Sequence, residues 1–354
     1  MIEVPDLMRS AVYRSPGDIG VEERPVPRPG AGQVLVEVSY CGICGSDLHI
    51  MIEGWGKPGT VGGHEYSGVV AAVGDGVKTW KVGDAVVCGP SPRCGTCRRC
   101  RLGHPSQCEN RSAPVDGDVG GAFAGFVVTD ARSLLALPEG MSPRVAALAE
   151  PLAVALHGIT RSGIVPGDTA MVFGAGPIGA LTIAALVAKG IGPVVVVEPG
   201  ESRQRLARDL GASEVLAPTE LETFPPWEPE RQSPRAVDVV FECSGKKAAM
   251  ETGFHQLGRG GHLVLVGAGM ESPRFDPNRM ILNELGVSGS FVYDADGFER
   301  ALELLASGAL PTDVLIDPED VALDGLGPAM HGLAAGTIAG KVMVVPGAGG
   351  TEGR

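Results

Sequence analysis

Four closely spaced cysteines carry the clearest chemical signal in this sequence: Cys94, Cys97, Cys100 and Cys108. Their pattern, C-x2-C-x2-C-x7-C, allows four thiolates to enclose one tetrahedral zinc ion within a single loop. Local disulfides or a redox-active CxxC pair fit less well, because a fourth cysteine follows two consecutive CxxC steps. Iron–sulfur clusters also use four thiolates, but ferredoxin-type spacings differ from this one. We therefore predict a structural zinc lobe over about residues 88–112, in which the metal supplies the folding energy.

A second set of possible zinc ligands is spread over a longer part of the chain. Cys44 lies in the segment CGICGSDLH, His64 and Glu65 lie in GHEYSG, and Glu150 lies in AEPLAVALHG. One thiolate, one imidazole and one or two carboxylates can form an open zinc site with a position for water or substrate. Scattered residues of these types are common, so the types alone are poor evidence for the site.

A glycine-rich turn in the middle third of the chain indicates a dinucleotide site. The turn consists of Gly174, Ala175, Gly176, Pro177, Ile178 and Gly179. It follows the apolar, β-prone segment Thr169–Phe173 and precedes the helix-like sequence LTIAALVAKG. Gly174 permits a tight turn, Gly176 lets the backbone approach a pyrophosphate, and Gly179 lets helix and strand pack closely. The free N–H groups at the helix N-terminus would then bind the phosphates.

An acidic residue after the next predicted strand indicates which cofactor binds. The strand Val194–Val197 ends in Glu198, 19 residues beyond the last glycine, where a carboxylate can bind the adenosine ribose hydroxyls. A carboxylate would repel a 2′-phosphate, so the sequence favours NAD over NADP. Arg203 opposes this preference, because a nearby guanidinium can accommodate that phosphate.

The elements that would position these residues alternate between strand and helix. Helices are predicted over Ser202–Leu210 and Lys246–Leu257, and strands over Val237–Phe241, His262–Val266 and Gly286–Ser290. This βαβ pattern is typical of an α/β protein with a doubly wound parallel sheet.

Three further segments complete the prediction of the elements. Gln33–Tyr40 alternates like a half-buried strand. Ala170–Ala188 has about the length of a membrane span, but three glycines and a proline fit a strand, a turn and a buried helix better. Ala217–Arg235 contains too many prolines for one helix and is predicted to be a long surface loop.

Size, charge and cysteine content exclude several classes of protein. The chain has 354 residues, enough for two domains with sizeable cores. Its formal net charge of −13 at pH 7 argues against nucleic acid or an anionic membrane as a partner. The first residues lack the basic and apolar regions of a secretory signal, so we expect a cytoplasmic protein whose cysteines are metal ligands or free thiols.

Together these motifs resemble the zinc-dependent medium-chain dehydrogenase/reductase family, which includes the alcohol dehydrogenases. CGICGSDLH, GHEYSG, the four cysteines, AEPLAVALHG, GAGPIG and GKVMVV occur in the family's order and cover nearly the whole chain. CGSD, GHEYSG and EPLAVALHG are similar to the sorbitol, butanediol and threonine dehydrogenase branch. The resemblance implies a GroES-like, mainly β catalytic domain, residues 1–157 and 296–354, with a NAD-binding Rossmann domain, residues 158–295, inserted in it.

The resemblance also implies the roles of individual zinc-site residues. Cys44 and His64 would bind a catalytic zinc ion, and Glu65, Glu150 or both would complete its ligands. Members of the family differ in this choice, and the sequence leaves it open. Asp47 would form a hydrogen bond with His64 and fix its tautomer.

Further residues are implied to move the proton or to bind the cofactor. Ser46 would take the proton of the reacting hydroxyl group, His49 would continue the relay, and Lys341 would either contact a cofactor phosphate or be solvated. Four other residues are expected to be structural: Cys41, Cys88, Cys243 and His157.

The implied activity is the reversible oxidation of a small secondary alcohol or polyol to its ketone, with NAD as hydride acceptor and two zinc ions per chain. A zinc-dependent primary alcohol or aldehyde dehydrogenase is the alternative, although Glu150 followed by Pro151, in place of a third cysteine, favours secondary alcohols. A non-catalytic NAD(H)-binding protein would be expected to lack Cys44, His64 or Ser46, and all three are present. The family also implies a homotetramer or homodimer.

Overall fold

The computed structural model describes residues 4–89, 93–110 and 120–347. The strands of these residues are β1 (Leu7–Ser15), β2 (Asp18–Pro25), β3 (Gln33–Gly42), β4 (Glu65–Val73), β5 (Ala85–Cys88), β6 (Phe126–Asp130), β7 (Leu134–Ala136), β8 (Ala170–Phe173), β9 (Val194–Val197), β10 (Glu214–Leu216), β11 (Val237–Glu242), β12 (Leu257–Leu265), β13 (Gly286–Gly289) and β14 (Met343–Val344). Their α-helices are α1 (Gly45–Met51), α2 (Arg98–Arg101), α3 (Pro143–Ala146), α4 (Ala149–Ser162), α5 (Pro177–Ala188), α6 (Glu201–Asp209), α7 (Lys247–His255), α8 (Pro277–Leu282), α9 (Gly297–Ala306), α10 (Thr312–Leu315) and α11 (Leu326–Ala335).

One six-stranded sheet is parallel throughout and has the order β10-β9-β8-β11-β12-β13. The sequence of β9 is VVVV, the continuous apolar run expected of a strand that is buried on both faces. The strand order reverses between β8 and β11, and ligands of such sheets bind beyond the carboxyl ends of the strands at this point. The glycine-rich turn directly follows β8, so the topology places it where a dinucleotide would bind.

A second, antiparallel sheet has the order β14-β3-β4-β5-β7, and β6 pairs with β3. Its long central strand β3 ends at Gly42, just before the segment that contains Cys44. Near this end β3 pairs with β14, where Met343 lies opposite Gly42. Both ends of the chain therefore build the sheet from which α1 begins, as the resemblance implied. A separate hairpin, formed by β1 and β2, was not predicted.

Most predicted elements of the parallel sheet agree with the structure to within a few residues. The main correction concerns the helix predicted over Lys246–Leu257, which ends at His255, because Leu257 already pairs with Val237 as the first residue of β12. The strand predicted over His262–Val266 accordingly starts earlier than expected. Its first part contains three glycines, and the pairing with β11 shifts register there, which hid the strand in the sequence.

The segment Ala170–Ala188 forms β8, the glycine-rich turn and α5, as predicted. Helix α5 is apolar on all sides, as expected of a helix that is buried, and most of its residues are packed inside the protein. Across the three described ranges, no helix combines the length and the apolar character needed to cross a membrane.

The proline-rich segment Ala217–Arg235 contains neither an α-helix nor a strand, in agreement with the predicted loop. It is nevertheless anchored to the sheet domain. The guanidinium group of Arg279, which is 1% exposed, donates hydrogen bonds to the carbonyl groups of Pro229 and Arg231. The ring of Phe224 is also buried. The loop therefore has a fixed path that its composition did not reveal.

Candidate active site

Helix α1 brings three predicted active-site residues into one short segment. Cys44 is the N-cap of the helix, and Ser46 and His49 lie three residues apart within it, so they share a face. The backbone N–H of Cys44 donates a hydrogen bond of 2.9 Å to the Asp47 carboxylate, which stabilises the start of the helix. Ser46 is exposed, whereas Cys44 and His49 are partly buried.

The turn into β4 supplies His64 and Glu65. Gly63 precedes them with a φ of 93°, a conformation that favours glycine. A Cβ atom at this position would lie 2.8 Å from the backbone nitrogen of Phe123 and 2.9 Å from the sulfur of Cys41. Glycine is thus required both by conformation and by space, and the resulting turn points the two ligand candidates toward α1.

Cys44, His64 and Glu65 form a cluster in which one possible ligand atom of each residue lies within 4.8 Å of the others. A thiolate, an imidazole and a carboxylate are a typical donor set for a catalytic zinc ion, which keeps a further position open. Burial alone lowers the pKa of His64, but the adjacent Cys44 and Asp47 outweigh it and raise that pKa well above its usual value. Surroundings that retain a proton in this way also favour a divalent cation, so the cluster fits zinc.

Glu150, at the start of α4, lies outside the three-residue cluster found among the described residues. Burial raises the pKa of its carboxyl group to about 7, while His64 lowers it and Glu65 raises it further. Glu150 is therefore close enough to interact electrostatically with both residues. The choice between Glu65 and Glu150 as the additional ligand stays a prediction.

The four lobe cysteines form the second cluster, with their sulfur atoms within 4.8 Å of one another. The sulfur atoms of Cys94 and Cys108 are 3.6 Å apart, close to the roughly 3.8 Å expected between tetrahedral zinc ligands. The N–H groups of Cys97 and Thr96 lower the pKa of Cys94 to about 5, and the N–H of Cys100 lowers that of Cys97. All eight cysteines are free, so the lobe presents thiol ligands and no disulfide. The predicted limits of the lobe fall partly on residues 90–92 and 111–112, which lie outside the described residues.

Steric contacts in the glycine-rich turn agree with the predicted reasons for its glycines. A Cβ atom on Gly179 would lie 1.9 Å from the carbonyl oxygen of Gly174, so only glycine allows helix and turn to pack this closely. Gly174 has a φ of 87°, and its own Cβ would meet Ser244. A Cβ on Gly176 would instead meet only the guanidinium of Arg203, at 3.8 Å, which leaves room for a ligand against the backbone. Pro177 begins α5 and Ile178 follows it.

Glu198 and Arg203 flank this turn. The Glu198 carboxylate is nearly buried and accepts hydrogen bonds from the N–H groups of Ala175 and Gly200 at 2.8 and 2.9 Å. Arg203 donates to the carbonyl oxygen of Leu333 at 2.7 Å, while its buried Nε has no hydrogen-bond partner among the described residues. A carboxylate joined to the turn and a guanidinium with a spare donor suit the hydroxyl and phosphate groups of a dinucleotide.

Comparison with known proteins shows which family this chain is similar to. The model for the alcohol dehydrogenase GroES-like domain matches residues 30–139, and that for the zinc-binding dehydrogenases matches residues 177–307. The chain is 38% identical to 2-dehydro-3-deoxy-L-galactonate 5-dehydrogenase of Pseudoalteromonas atlantica, over 86% of this chain and 89% of the relative. It is 33% identical to sorbitol dehydrogenase of Bacillus subtilis, over 88% and 90% of the two chains.

This chain belongs to the zinc-dependent medium-chain dehydrogenase/reductase family. A crystal structure of a zinc-binding dehydrogenase from Sinorhizobium meliloti 1021, bound to NADP, superposes with a TM-score of 0.83 at 29% identity and covers 97% of this chain and 100% of that one. The protein is accordingly a zinc-dependent, NAD(P)-linked dehydrogenase of the alcohol and polyol class, with a Rossmann sheet beside a GroES-like domain. The alternative of a non-catalytic NAD(H)-binding protein is not supported, because the named relatives are dehydrogenases.

In this dehydrogenase Lys341 has a position that the sequence did not reveal. Its ammonium group lies 2.8 and 2.7 Å from the two carboxylate oxygens of Glu65 and donates to the carbonyl of Ile43 at 2.9 Å. The side chains of Lys341 and Glu65 are 2% and 0% exposed. The expectation of a solvated Lys341 is therefore wrong, whereas the contact with a cofactor phosphate stays a prediction. No local signal could have revealed the pair, since its members are 276 positions apart.

The second correction in the dehydrogenase concerns Asp47. A hydrogen bond to His64 was predicted, but the Oδ1 atom of Asp47 lies 3.9 Å from Nδ1 of His64, too far for one. The carboxylate accepts instead from the N–H of Gly63, at 3.4 Å, and from that of Cys44. Asp47 thus holds together the two segments that contain Cys44 and His64, rather than binding the imidazole itself.

The remaining thiols of the dehydrogenase and one histidine are buried or partly buried. Cys41 and Cys88 are buried, and the sulfur of Cys88 accepts a hydrogen bond from the N–H of Tyr66. Cys243 contacts Thr182 near the glycine-rich turn. His157 is buried beside Asp294, with Nδ1 and Oδ1 3.0 Å apart. None of the four belongs to either metal cluster of the described residues.

Proposed function

We propose that this dehydrogenase oxidises a secondary hydroxyl group of a small polyol or sugar acid, with NAD as the hydride acceptor. The cluster of Cys44, His64 and Glu65 next to the exposed Ser46 is the observation that carries the proposal. The relatives named for sorbitol and for a deoxy-galactonate oxidised at carbon 5 support a substrate with several hydroxyl groups.

Two donor clusters support two zinc ions per chain. Cys44 and His64, with Glu65, Glu150 or both, would hold the catalytic ion, and the four-cysteine lobe would hold the structural one. When bound, the catalytic zinc acts as a Lewis acid that lowers the pKa of the substrate hydroxyl group. The buried contact with Lys341 keeps the Glu65 carboxylate in one orientation beside Cys44 and His64, so this side of the site is preorganised.

Ser46 and His49 would carry the proton out of the site. Ser46 would accept the proton of the substrate hydroxyl group and give up its own hydroxyl proton, and bound NAD would supply the hydride acceptor. A ribose hydroxyl of bound NAD would link Ser46 to His49, which would release the proton to water. The shared face of α1 supports this relay, because it places Ser46 and His49 next to each other one turn apart.

Specificity for NAD is proposed from Glu198. Its carboxylate would accept hydrogen bonds from the adenosine ribose hydroxyls and repel a 2′-phosphate. Arg203 would interact with the pyrophosphate, because its guanidinium lies beside Gly176 and already contacts the Leu333 carbonyl on the other side. The glycine-rich turn, including Pro177 and Ile178, would hold the phosphates by its backbone N–H groups.

The proposal also covers the domain limits, the cellular location and the oligomeric state of the protein. We propose a catalytic domain of residues 1–157 and 296–354, with residues 158–295 binding NAD, and the pairing of β3 with β14 supports the contribution of both chain ends. Eight free thiols support a cytoplasmic location. We also propose a homotetramer or homodimer, because members of the family commonly form such oligomers.

A substrate and cofactor screen tests this function. Sorbitol, 2,3-butanediol and a sugar acid with a free C5 hydroxyl should be oxidised faster than matched primary alcohols, and NAD should be preferred to NADP. Glu198→Ala should reduce the preference for NAD, whereas Glu201→Ala, an exposed change on the next helix, should leave it unchanged. Faster oxidation of primary alcohols, or a clear preference for NADP in the native protein, would contradict the proposal.

A further inference from the structure

Two side chains beyond the end of α1 fix the position of the His49 imidazole. The Nδ1 atom of His49 lies 2.8 Å from a carboxylate oxygen of Glu53. The indole of Trp55 stacks on the same imidazole, with ring centroids 4.6 Å apart and planes inclined by 13°. One ring nitrogen and one ring face are therefore occupied, and Nε2 is left to contact other groups.

The local sequence explains this arrangement. The N–H groups of Ile52 and Glu53 both donate to the carbonyl of Leu48, so one more turn of chain follows α1 and brings Glu53 over His49. Gly54 then adopts a φ of 84° and reverses the chain. The N–H of Trp55 donates back to the His49 carbonyl at 3.2 Å, which holds the indole over the imidazole.

A carboxylate at Nδ1 determines which nitrogen of a neutral imidazole can accept a proton. When Nδ1–H donates to Glu53, Nε2 carries the free lone pair, and a proton relay needs an acceptor at that atom. Stacking on Trp55 restricts rotation of the ring, which would otherwise exchange the two nitrogens. Glu53 itself is 46% exposed, so it can hold the ring without being enclosed in the site.

We propose that Glu53 is a positioning residue for the proton relay, which holds His49 in the tautomer that accepts at Nε2. The inference rests on the proposed function, because it concerns the proton released on alcohol oxidation. In this step Nε2 would accept the proton that Ser46 releases, while Nδ1–H stays hydrogen-bonded to Glu53. Nε2 would then give the proton to water, and bound NAD would accept the electron pair of the broken C–H bond as hydride.

Variants of Glu53 separate this role from an ordinary surface ion pair. Glu53→Ala should slow the single-turnover formation of NADH about tenfold, like the lower end of the range for residues that orient metal-binding histidines. Glu53→Gln should restore most of the rate, because its amide oxygen can still accept from Nδ1–H. Added imidazole buffer should accelerate the Ala variant in proportion to its concentration and leave the native enzyme unaffected. Glu22→Ala is the matched control, since Glu22 forms an exposed pair with Arg14 in another part of the chain.

A double variant tests whether Glu53 acts through His49. His49→Asn should slow the reaction, and adding Glu53→Ala to it should cause no further loss. The proposal is overturned if Glu53→Ala turns over like the native enzyme, if imidazole does not rescue it, or if the two losses multiply. These results require an active native enzyme. If the native holoenzyme oxidises no alcohol with either cofactor, the proposed function itself fails, and the two failures are thus distinguished.

Discussion

The two metal clusters of this protein are built in opposite ways. The four-cysteine lobe takes all of its ligands from one short segment, and neighbouring backbone N–H groups stabilise the thiolates of Cys94 and Cys97. The Cys44 cluster instead joins the start of α1 to the start of β4, and the buried Lys341 from the far end of the chain holds one of its carboxylates. The ligand positions of the local cluster therefore depend on one loop, whereas those of the dispersed cluster depend on the folding of the whole catalytic domain.

Loss of a ligand from the dispersed cluster should have the largest effect on catalysis. We expect Cys44→Ser to lower alcohol oxidation by at least about a thousandfold, because the metal position beside Ser46 loses a thiolate ligand. Binding of NADH, measured by its fluorescence, should persist, since the glycine-rich turn lies on the other sheet. Near-normal turnover by this variant would mean that the cluster is not the catalytic site.

Loss of the buried cation should destabilise the same region. Lys341→Met leaves the Glu65 carboxylate buried without its partner, and such changes cost about 3 kcal/mol of unfolding free energy. Urea unfolding would measure this loss, and zinc bound with Cys44 and His64 should also dissociate faster. Arg132→Met is the control, because the Arg132–Asp130 pair is exposed and should contribute less than about 1 kcal/mol. Equal effects of the two variants would argue against a special role for Lys341.

Loss of a lobe ligand should act locally. Cys97→Ala removes one of four thiolates, so the lobe should lose its zinc and become sensitive to proteolysis at its arginines, with a fall in melting temperature of a few degrees, on the order of 1 kcal/mol. Zinc bound at Cys44 should remain. A variant that is fully stable and retains all of its metal would show that the lobe does not need zinc.

Mild chelation should remove metal from one cluster before the other, with the smallest change in the fold. The open site should lose its metal first, because one coordination position is accessible, whereas four thiolates enclose the structural ion. Activity should therefore fall while circular dichroism and protease resistance of the lobe stay unchanged. Simultaneous loss of activity and lobe structure would mean that the two clusters are not independent.

The same contrast explains what could be predicted from the sequence. The cysteine lobe and the glycine-rich turn are encoded by local spacing, and the structure brings their residues together as that spacing predicts. Contacts between distant segments gave no such signal: Lys341 with Glu65, and Asp47 with the N–H of Gly63. The pair of His49 and Glu53 is local, but its spacing is common on helix surfaces, so only the added stacking on Trp55 distinguishes it.

Zinc content per chain, compared between the native protein and Cys44→Ser, tests whether Cys44 binds a second zinc ion apart from that of the lobe. Both proteins would be purified without chelator, and their metal measured by mass spectrometry against protein concentration. We expect two zinc ions in the native chain and one in the variant, with the lobe still protease-resistant. One zinc ion in both proteins would contradict a metal site at Cys44, and with it the proposed mechanism.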